Sequence, residues 1–379
     1  MNNYSVVLPS YSIGDNCLSL VEKICSGSGS KAVVVGGKTA VSKIKDNLIS
    51  TLANSSISIV DFVWYGGECS FENVEMLKAN PSVVNADMIF AVGGGKALDT
   101  CKALANEINK DVYTFPTIAS NCAATTAVSI MYNPDGTFKG PNFFDAPAKH
   151  AFIYTPVIAK APKRYIWAGM GDTYAKYFEA EMSARGEDLV HYHWLGKNVS
   201  RLCVDPILQY GLEAMHAVEN GVTSDALDQV ILAVVVTTGI ASILLTKEHI
   251  IDYNTGLAHA VFYALTSWRH IEERHLHGEV VGYGILILLL VDNNKEMFDK
   301  IYAFNKSVGL PVCLKDIEMS QSDLDKLVPA VCAMKDIEHN PYEITQDMVK
   351  NAFIKLENIT RRVFKNLKIS GFVTWLGVI

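Results

Sequence analysis

Three residues in the second half of the chain have the types and spacing to hold a metal ion. Asp172 lies in Gly169-Met170-Gly171-Asp172, His259 in Gly256-Leu257-Ala258-His259-Ala260, and His277 in His275-Leu276-His277-Gly278-Glu279. One carboxylate and two imidazoles suit zinc first, with iron as the alternative, and they leave a coordination position open for a substrate oxygen. An open position is the mark of a catalytic metal rather than a structural one. Singly, Asp172 reads equally as an N-cap at the start of a helix over Thr173 to Glu181, and each histidine as an ordinary core or surface residue. Of the remaining histidines, His191, His193, His216, His249 and His339 show no partner pattern. His270 and His275 are expected in a polar loop, with His275 the substitute ligand should His277 not serve.

A second feature could bind an anion. Met88 to Val92 reads as a strand that runs into Gly93-Gly94-Gly95-Lys96, and Ala97 to Ile108 reads as an amphipathic helix. Glycines let backbone N–H groups approach a pyrophosphate closely, the helix N-terminus adds partial positive charge, and Lys96 could add a full one. The pattern is neither GxGxxG nor the P-loop, and a tight turn that needs glycine only for backbone geometry would look the same.

The elements that must position these groups fall into two textures. Ala32 to Val35, Ile57 to Phe62, Met88 to Val92, Val112 to Phe115 and Ala151 to Tyr154 are short apolar runs between longer mixed segments. Such runs predict parallel strands covered on both faces, hence a doubly wound sheet with ligands at the carboxyl ends of its strands. Beyond Pro156 and Pro162, Arg164 to Ala184 and Asp225 to Thr246 carry helical periodicity. The expected division is a dinucleotide-binding α/β domain over residues 1–160 and an all-helical metal- and substrate-binding domain over 161–379.

Composition narrows the function. The 379 residues are 49% hydrophobic and 19% charged, enough for a large core and two domains. A net charge of -7 without any Lys/Arg block argues against a nucleic-acid or anionic-membrane surface, and a small diffusible substrate is expected. The eight cysteines are scattered without a CxxC pair, as reduced thiols of a cytoplasmic protein are. The opening MNNYSVVLPSYSIG has no basic segment followed by an apolar one, so no secretory signal is expected. Val230 to Leu245 and Val280 to Val291 are apolar, but the first contains Thr237, Thr238, Gly239 and Ser242 and the second is short. Both are expected as buried helices rather than membrane spans.

Taken together, these motifs resemble the iron-containing alcohol dehydrogenase superfamily, in particular its glycerol-dehydrogenase-like branch. The marks are residues 93 to 103 (GGGKALDTCKA), Pro116 to Ser120 (PTIAS), Gly169 to Asp172, Gly256 to Ala260, and His277-Gly278-Glu279, in matching order and spacing. The resemblance implies a dehydroquinate-synthase-like fold, a homo-oligomer, and hydride transfer between NAD or NADP and a small hydroxy compound. It implies coenzyme contacts from Gly94, Gly95, Lys96, Ala97 and Leu98, then Thr117 and Ser120, then Thr126, Val128 and Tyr132. It also implies one divalent metal on Asp172, His259 and His277, with Tyr132 or water as the outlet for the proton.

Three departures from that pattern concern substrate and coenzyme. Where glycerol dehydrogenases carry a substrate-facing aspartate, this chain reads Ser120-Asn121-Cys122-Ala123-Ala124, which is more like the hydroxycarboxylate dehydrogenases of the same branch. An aspartate would repel a carboxylate substrate by about 1–4 kcal/mol at contact, and Cys122 removes that repulsion. The expectation therefore leans to 2-hydroxy acid/2-oxo acid chemistry, with oxidation of glycerol and related vicinal diols as the alternative. Second, Val35 leads into Gly36-Gly37-Lys38 with no acidic residue for the ribose, so NAD and NADP both stay open, and Lys38 could face a 2′-phosphate. Third, Phe262 stands where related enzymes often have a further histidine. Phosphorylated or highly charged substrates are disfavoured because Lys139, Lys149 and Arg164 are dispersed, and a non-catalytic binding protein of the same fold is the remote alternative.

Overall fold

The computed structural model describes residues 3–376, with side chains as far as Arg362. Eight strands form, in chain order: β1 (Tyr11–Ile13), β2 (Lys31–Gly36), β3 (Ser58–Trp64), β4 (Met88–Gly93), β5 (Asp111–Pro116), β6 (Val128–Tyr132), β7 (Phe138–Phe143) and β8 (His150–Ile153). Six of them make one sheet in the order β1-β8-β5-β4-β2-β3, and every pair in it is parallel. Leaving β2, the chain moves outward to β3, and it then returns to the other side of β2 for β4. The switch of direction therefore falls between β2 and β4, the place where open α/β sheets bind ligands.

Alternation along the central strands sends side chains into two cores. Val34, Phe90, Phe115 and Phe152 face one side, where Ile44 and Leu48 of the Lys38–Leu52 helix cover them. Val33, Val35, Ile89, Ala91 and Ile153 face the other, against Leu98, Cys101 and Leu104 of the Gly95–Ile108 helix, and this core continues into the helical half. The expected strands thus form, with one correction. β3 is an edge strand whose residues are mostly exposed or partly exposed, because nothing pairs with its outer side. Two further elements have weak signals in the sequence: the three-residue edge strand β1, and the antiparallel β6–β7 hairpin, which has a bulge between Met131 and Tyr132.

From Thr155 onward the elements are helical. The Asp225–Leu245 stretch is long and apolar enough to cross a membrane, but 72% of its most apolar window is buried inside the molecule, so it serves as a core helix. It is interrupted by a wider π turn at Leu232–Thr237, where the Thr125 hydroxyl donates to the Val235 carbonyl. That bond ties the helical half to the loop that follows β5. His277–Val291 is buried along almost its whole length and packs against both Arg164–Ser183 and Leu257–Leu265.

Candidate functional site

Glycines where two helices cross determine where the three candidate ligands meet. A β-carbon on Gly171 would lie 2.1 Å from the Gly278 carbonyl oxygen, and one on Gly278 would lie 2.0 Å from that of Ala168 and 2.9 Å from Asp172 Cβ. With hydrogen in those places, the Arg164–Ser183 and His277–Val291 helices touch backbone to backbone, and Asp172 stands beside His277. His277 begins its helix, and His259 is in the first turn of Leu257–Leu265. Asp172 therefore is not a helix cap, as one reading of the sequence expected. It sits in the interior of a helix that starts at Arg164, because Gly171 serves the crossing, Gly169 serves a close approach to Ala119, and neither breaks the helix.

Asp172 Oδ1 lies 3.3 Å from His277 Nε2 and 3.7 Å from His259 Nε2, and one donor atom from each residue falls within 4.8 Å of the others. Tetrahedral ligands about 2.1 Å from a zinc ion lie about 3.4 Å apart, so the spacing and the O, N, N donor set fit a divalent metal. The His277 side chain is 42% exposed while those of Asp172 and His259 are 14% and 7% exposed, so the group opens toward solvent at His277. Burial works against ionising Asp172, but His277 and His259 outweigh it and hold its carboxyl down to about 2. For His259, burial opposes the charged ring, and Glu179 and Asp172 outweigh that opposition and raise its pKa.

Two further residues on the Arg164–Ser183 helix belong to this arrangement, and sequence reading missed both. Lys176, almost fully buried, donates to the Asn254 carbonyl at 2.6 Å and to its side-chain oxygen at 2.8 Å. Glu179, completely buried, accepts from the Gly256 and His259 backbone N–H groups and lies 2.7 Å from His259 Nδ1. The available signal was their spacing: Asp172, Lys176 and Glu179 follow i, i+4, i+7 and share one face of a buried helix.

The glycine turn lies at the switch point. Gly93 has φ +152°, which L side chains rarely adopt, and a β-carbon on Gly36 would collide with the Val92 carbonyl oxygen at 2.2 Å. Behind the turn runs the Thr117–Asn121 segment: Thr117 N donates to the Gly93 carbonyl, and a β-carbon on Gly95 would lie 2.6 Å from Asn121 Nδ2. That segment also meets the Arg164–Ser183 helix, since a β-carbon on Gly169 would lie 2.3 Å from the Ala119 carbonyl oxygen. Gly94, Gly95, Thr117 and Ser120 are thereby brought to one place, directly beside the helix that carries Asp172.

Other predicted contacts are already engaged within the chain. Lys96 is paired with Glu68 at 2.5 Å and lies over the Tyr132 ring. Ala97 and Leu98 are buried, and the Leu98 N–H is used on the Gly94 carbonyl. The Thr126 hydroxyl and the Val128 carbonyl both accept from the buried Lys102 ammonium, at 2.9 and 2.6 Å. Lys102 also pairs with Asp99 at 2.9 Å, whose other oxygen accepts from Ile130 N. Lys38 lies 4.8 Å from the Trp64 ring centre, at the end of β2.

Cys122 is partly buried, and burial with the nearby Asp172 charge pushes its thiol up to about 12. Burial, then the charges of Asp99 and Glu68, push Tyr132 up to about 12 as well. From Tyr132 a row of rings runs through Phe138 and Tyr263 to His259, with successive centres 6.3, 6.1 and 6.2 Å apart. Phe262 meets the His277 ring edge-on at 4.4 Å. Several spare histidines do have partners: His193 with Glu248, His339 with Glu187, and His249 stacked on Phe143. His270 and His275 are not in a loop: the first lies in the Arg269–Arg274 helix and the second caps it. His275 is bound to Glu279 at 2.8 Å and is not part of the group formed by Asp172, His259 and His277.

A nucleotide-type glycine turn backed against a candidate metal cluster is the arrangement of a metal-dependent dehydrogenase. The iron-containing alcohol dehydrogenase family is matched over residues 9–148. The chain is 32% identical to the glycerol dehydrogenase of Thermotoga maritima over 94% of its own length and 97% of that protein's. It is 29% identical to hydroxycarboxylate dehydrogenase A of Escherichia coli, over 87% of this chain and 90% of that one. The crystal structure of glycerol dehydrogenase from Schizosaccharomyces pombe superposes with a TM-score of 0.84 at 23% identity, covering 97% and 94% of the two chains. The chain belongs to the iron-containing alcohol dehydrogenase family. It is an oxidoreductase acting on CH–OH groups.

Proposed function

We propose that this enzyme oxidises glycerol and related vicinal diols, or reduces the corresponding carbonyl compounds, with NAD or NADP as hydride partner. The charge around Cys122 carries the reading. A neutral thiol there removes repulsion toward a carboxylate substrate, yet, beyond a metal ion, holding one needs a side-chain cation free to pair with it. The lysines whose charges reach Cys122 are Lys176 and Lys102, and both are buried and committed, to Asn254 and to the β6 strand respectively. A neutral diol needs no such cation, only hydrogen-bond partners for its hydroxyls. The likeness to the Thermotoga maritima glycerol dehydrogenase supports the same choice, and so weight moves from the 2-oxo acid expectation to its alternative. The 2-oxo acid reading stays second, on Cys122 itself and on the likeness to hydroxycarboxylate dehydrogenase A.

In this proposal Asp172, His259 and His277 hold one divalent metal, zinc first. When bound, such a metal supplies Lewis-acid polarisation of a substrate oxygen. The protein's own part is to present an ionised Asp172, to leave His277 at the open side, and to shield the group with Phe262. Gly94, Gly95 and Lys96 are assigned to the coenzyme phosphates, with Lys96 exchanging Glu68 for them, and Thr117, Ser120 and the β6 strand border the coenzyme beyond. Tyr132 keeps its proton at neutral pH, which suits a donor in the reducing direction. Rates with glycerol and 1,2-propanediol, measured against 2-oxobutyrate and 2-oxoglutarate with both coenzymes, test the reading. The diols are expected to show the higher kcat/KM, and clear preference for either oxo acid would reverse the order of the two readings.

A further inference from the structure

The Glu179 carboxylate is completely buried, out of reach of solvent. Its two oxygens nevertheless meet two backbone N–H groups and one ring nitrogen of the segment that delivers His259. Oε1 accepts from Gly256 N and His259 N, both at 2.9 Å, and Oε2 lies 2.7 Å from His259 Nδ1. Gly256 allows this approach, since a β-carbon there would press on Glu179 Cγ at 3.2 Å. One turn earlier, Lys176 grips the Asn254 carbonyl and side chain. One helix face thus carries a ligand, Asp172, and two groups that anchor the segment bearing another.

We propose that Glu179 is a positioning residue that holds His259 with its proton on Nδ1, so that Nε2 presents a lone pair toward Asp172 and the metal. The inference rests on the assignment of the metal to Asp172, His259 and His277. Its chemistry is that of acceptors. An ionised carboxylate accepts on both oxygens and can satisfy two backbone donors and Nδ1–H together. The isosteric amide cannot. If its oxygen meets the backbone N–H pair, its NH2 faces Nδ1, which must then accept, so the ring proton moves to Nε2 and removes the lone pair. If the amide turns over, its NH2 faces two buried donors. A carboxylate behind a ligating imidazole also raises the basicity of the ligand, and losing such a partner typically lowers metal affinity by roughly 10–100-fold.

The test is a competition titration of Zn2+ against a chelating indicator, with the metal-free wild type, Glu179→Gln, Glu179→Asp and His277→Ala. The far-ultraviolet spectrum of each variant serves as a check on folding. Glu179→Gln is expected to bind Zn2+ roughly 10–100-fold more weakly than wild type, with Glu179→Asp between the two. Should Glu179→Gln not fold, 15N-histidine NMR of the wild type in alkaline solution, where the ring is neutral, reads the tautomer without any variant. Nδ1–H at His259 is expected there. Wild-type affinity in Glu179→Gln while His277→Ala loses it, or an Nε2–H ring in the wild type, overturns the role of Glu179 alone. Equal affinity in wild type and His277→Ala overturns the metal assignment and the inference together.

Discussion

Two helices of this enzyme each bury an acid and a lysine one turn apart, but only one of them also carries an acid that faces two imidazoles. On Gly95–Ile108, Asp99 and Lys102 pair with each other and with Thr126, Val128 and Ile130. Every charge there faces a partner from the chain, and the result is a clamp between the glycine-turn helix and β6. On Arg164–Ser183, Lys176 and Glu179 are likewise spent, on Asn254, Gly256 and His259. Asp172, one turn further up, instead faces the Nε2 atoms of two histidines at 3.3 and 3.7 Å. A buried ion pair complete in itself is structure, whereas a carboxylate whose nearest polar neighbours are themselves ligand atoms is a candidate site.

That contrast can be broken by substitution. His277→Ala is expected to leave the fold and coenzyme binding intact while kcat falls by ~10^4-fold or more, since polarisation by a metal contributes several kcal/mol. Steady-state rates with and without a chelator check it, and substantial activity in metal-free protein would remove the metal from the reaction. Lys102→Met is expected to act on the other quantity. It leaves the Asp99 charge buried without its partner and lowers unfolding free energy by about 3–5 kcal/mol, read by urea denaturation. A neutral result would show that the clamp is not needed.

Smaller effects sharpen the division further. Gly93→Ala places a side chain at φ +152°, a strain of about 1–3 kcal/mol, and it is expected to raise the coenzyme KM while zinc affinity stays unchanged. A parallel loss of zinc would mean that the turn and the cluster are coupled through Thr117–Asn121. The smallest effect is expected at Lys38→Ala, which removes a cation–π contact with Trp64 worth about 0.5–1 kcal/mol. Its expected signature is a several-fold higher KM for NADP with that for NAD unmoved, and equal changes in both would assign Lys38 to the scaffold.

Much of this organisation could be read before the structure was known. The core strands Lys31–Gly36, Met88–Gly93 and Asp111–Pro116 announced themselves as continuous apolar runs because both their faces are covered. The edge strand β3 and the β6–β7 hairpin were less legible, since partly exposed strands tolerate mixed residues and their pairing depends on distant segments. Asp172 does come together with His259 and His277, but its place along the helix was misread, because glycines at 169 and 171 look like breakers along the chain and prove to be points of close backbone contact in space.

Residue types and order by themselves determined the fold class, the glycine turn, and the three side chains able to offer one oxygen and two nitrogens to a metal. Those properties follow from local periodicity and from the chemistry of each donor, which do not depend on what lies across the core. Only the tertiary structure decided which polar groups are spent and which are left open. Lys96, Thr126 and Val128 read as open coenzyme contacts until Glu68 and Lys102 were seen to engage them. Glu179 read as nothing until it was found behind His259. A hydrogen bond between residues 80 positions apart leaves no periodic trace in the chain, and it exists because two buried helices cross closely enough to create it.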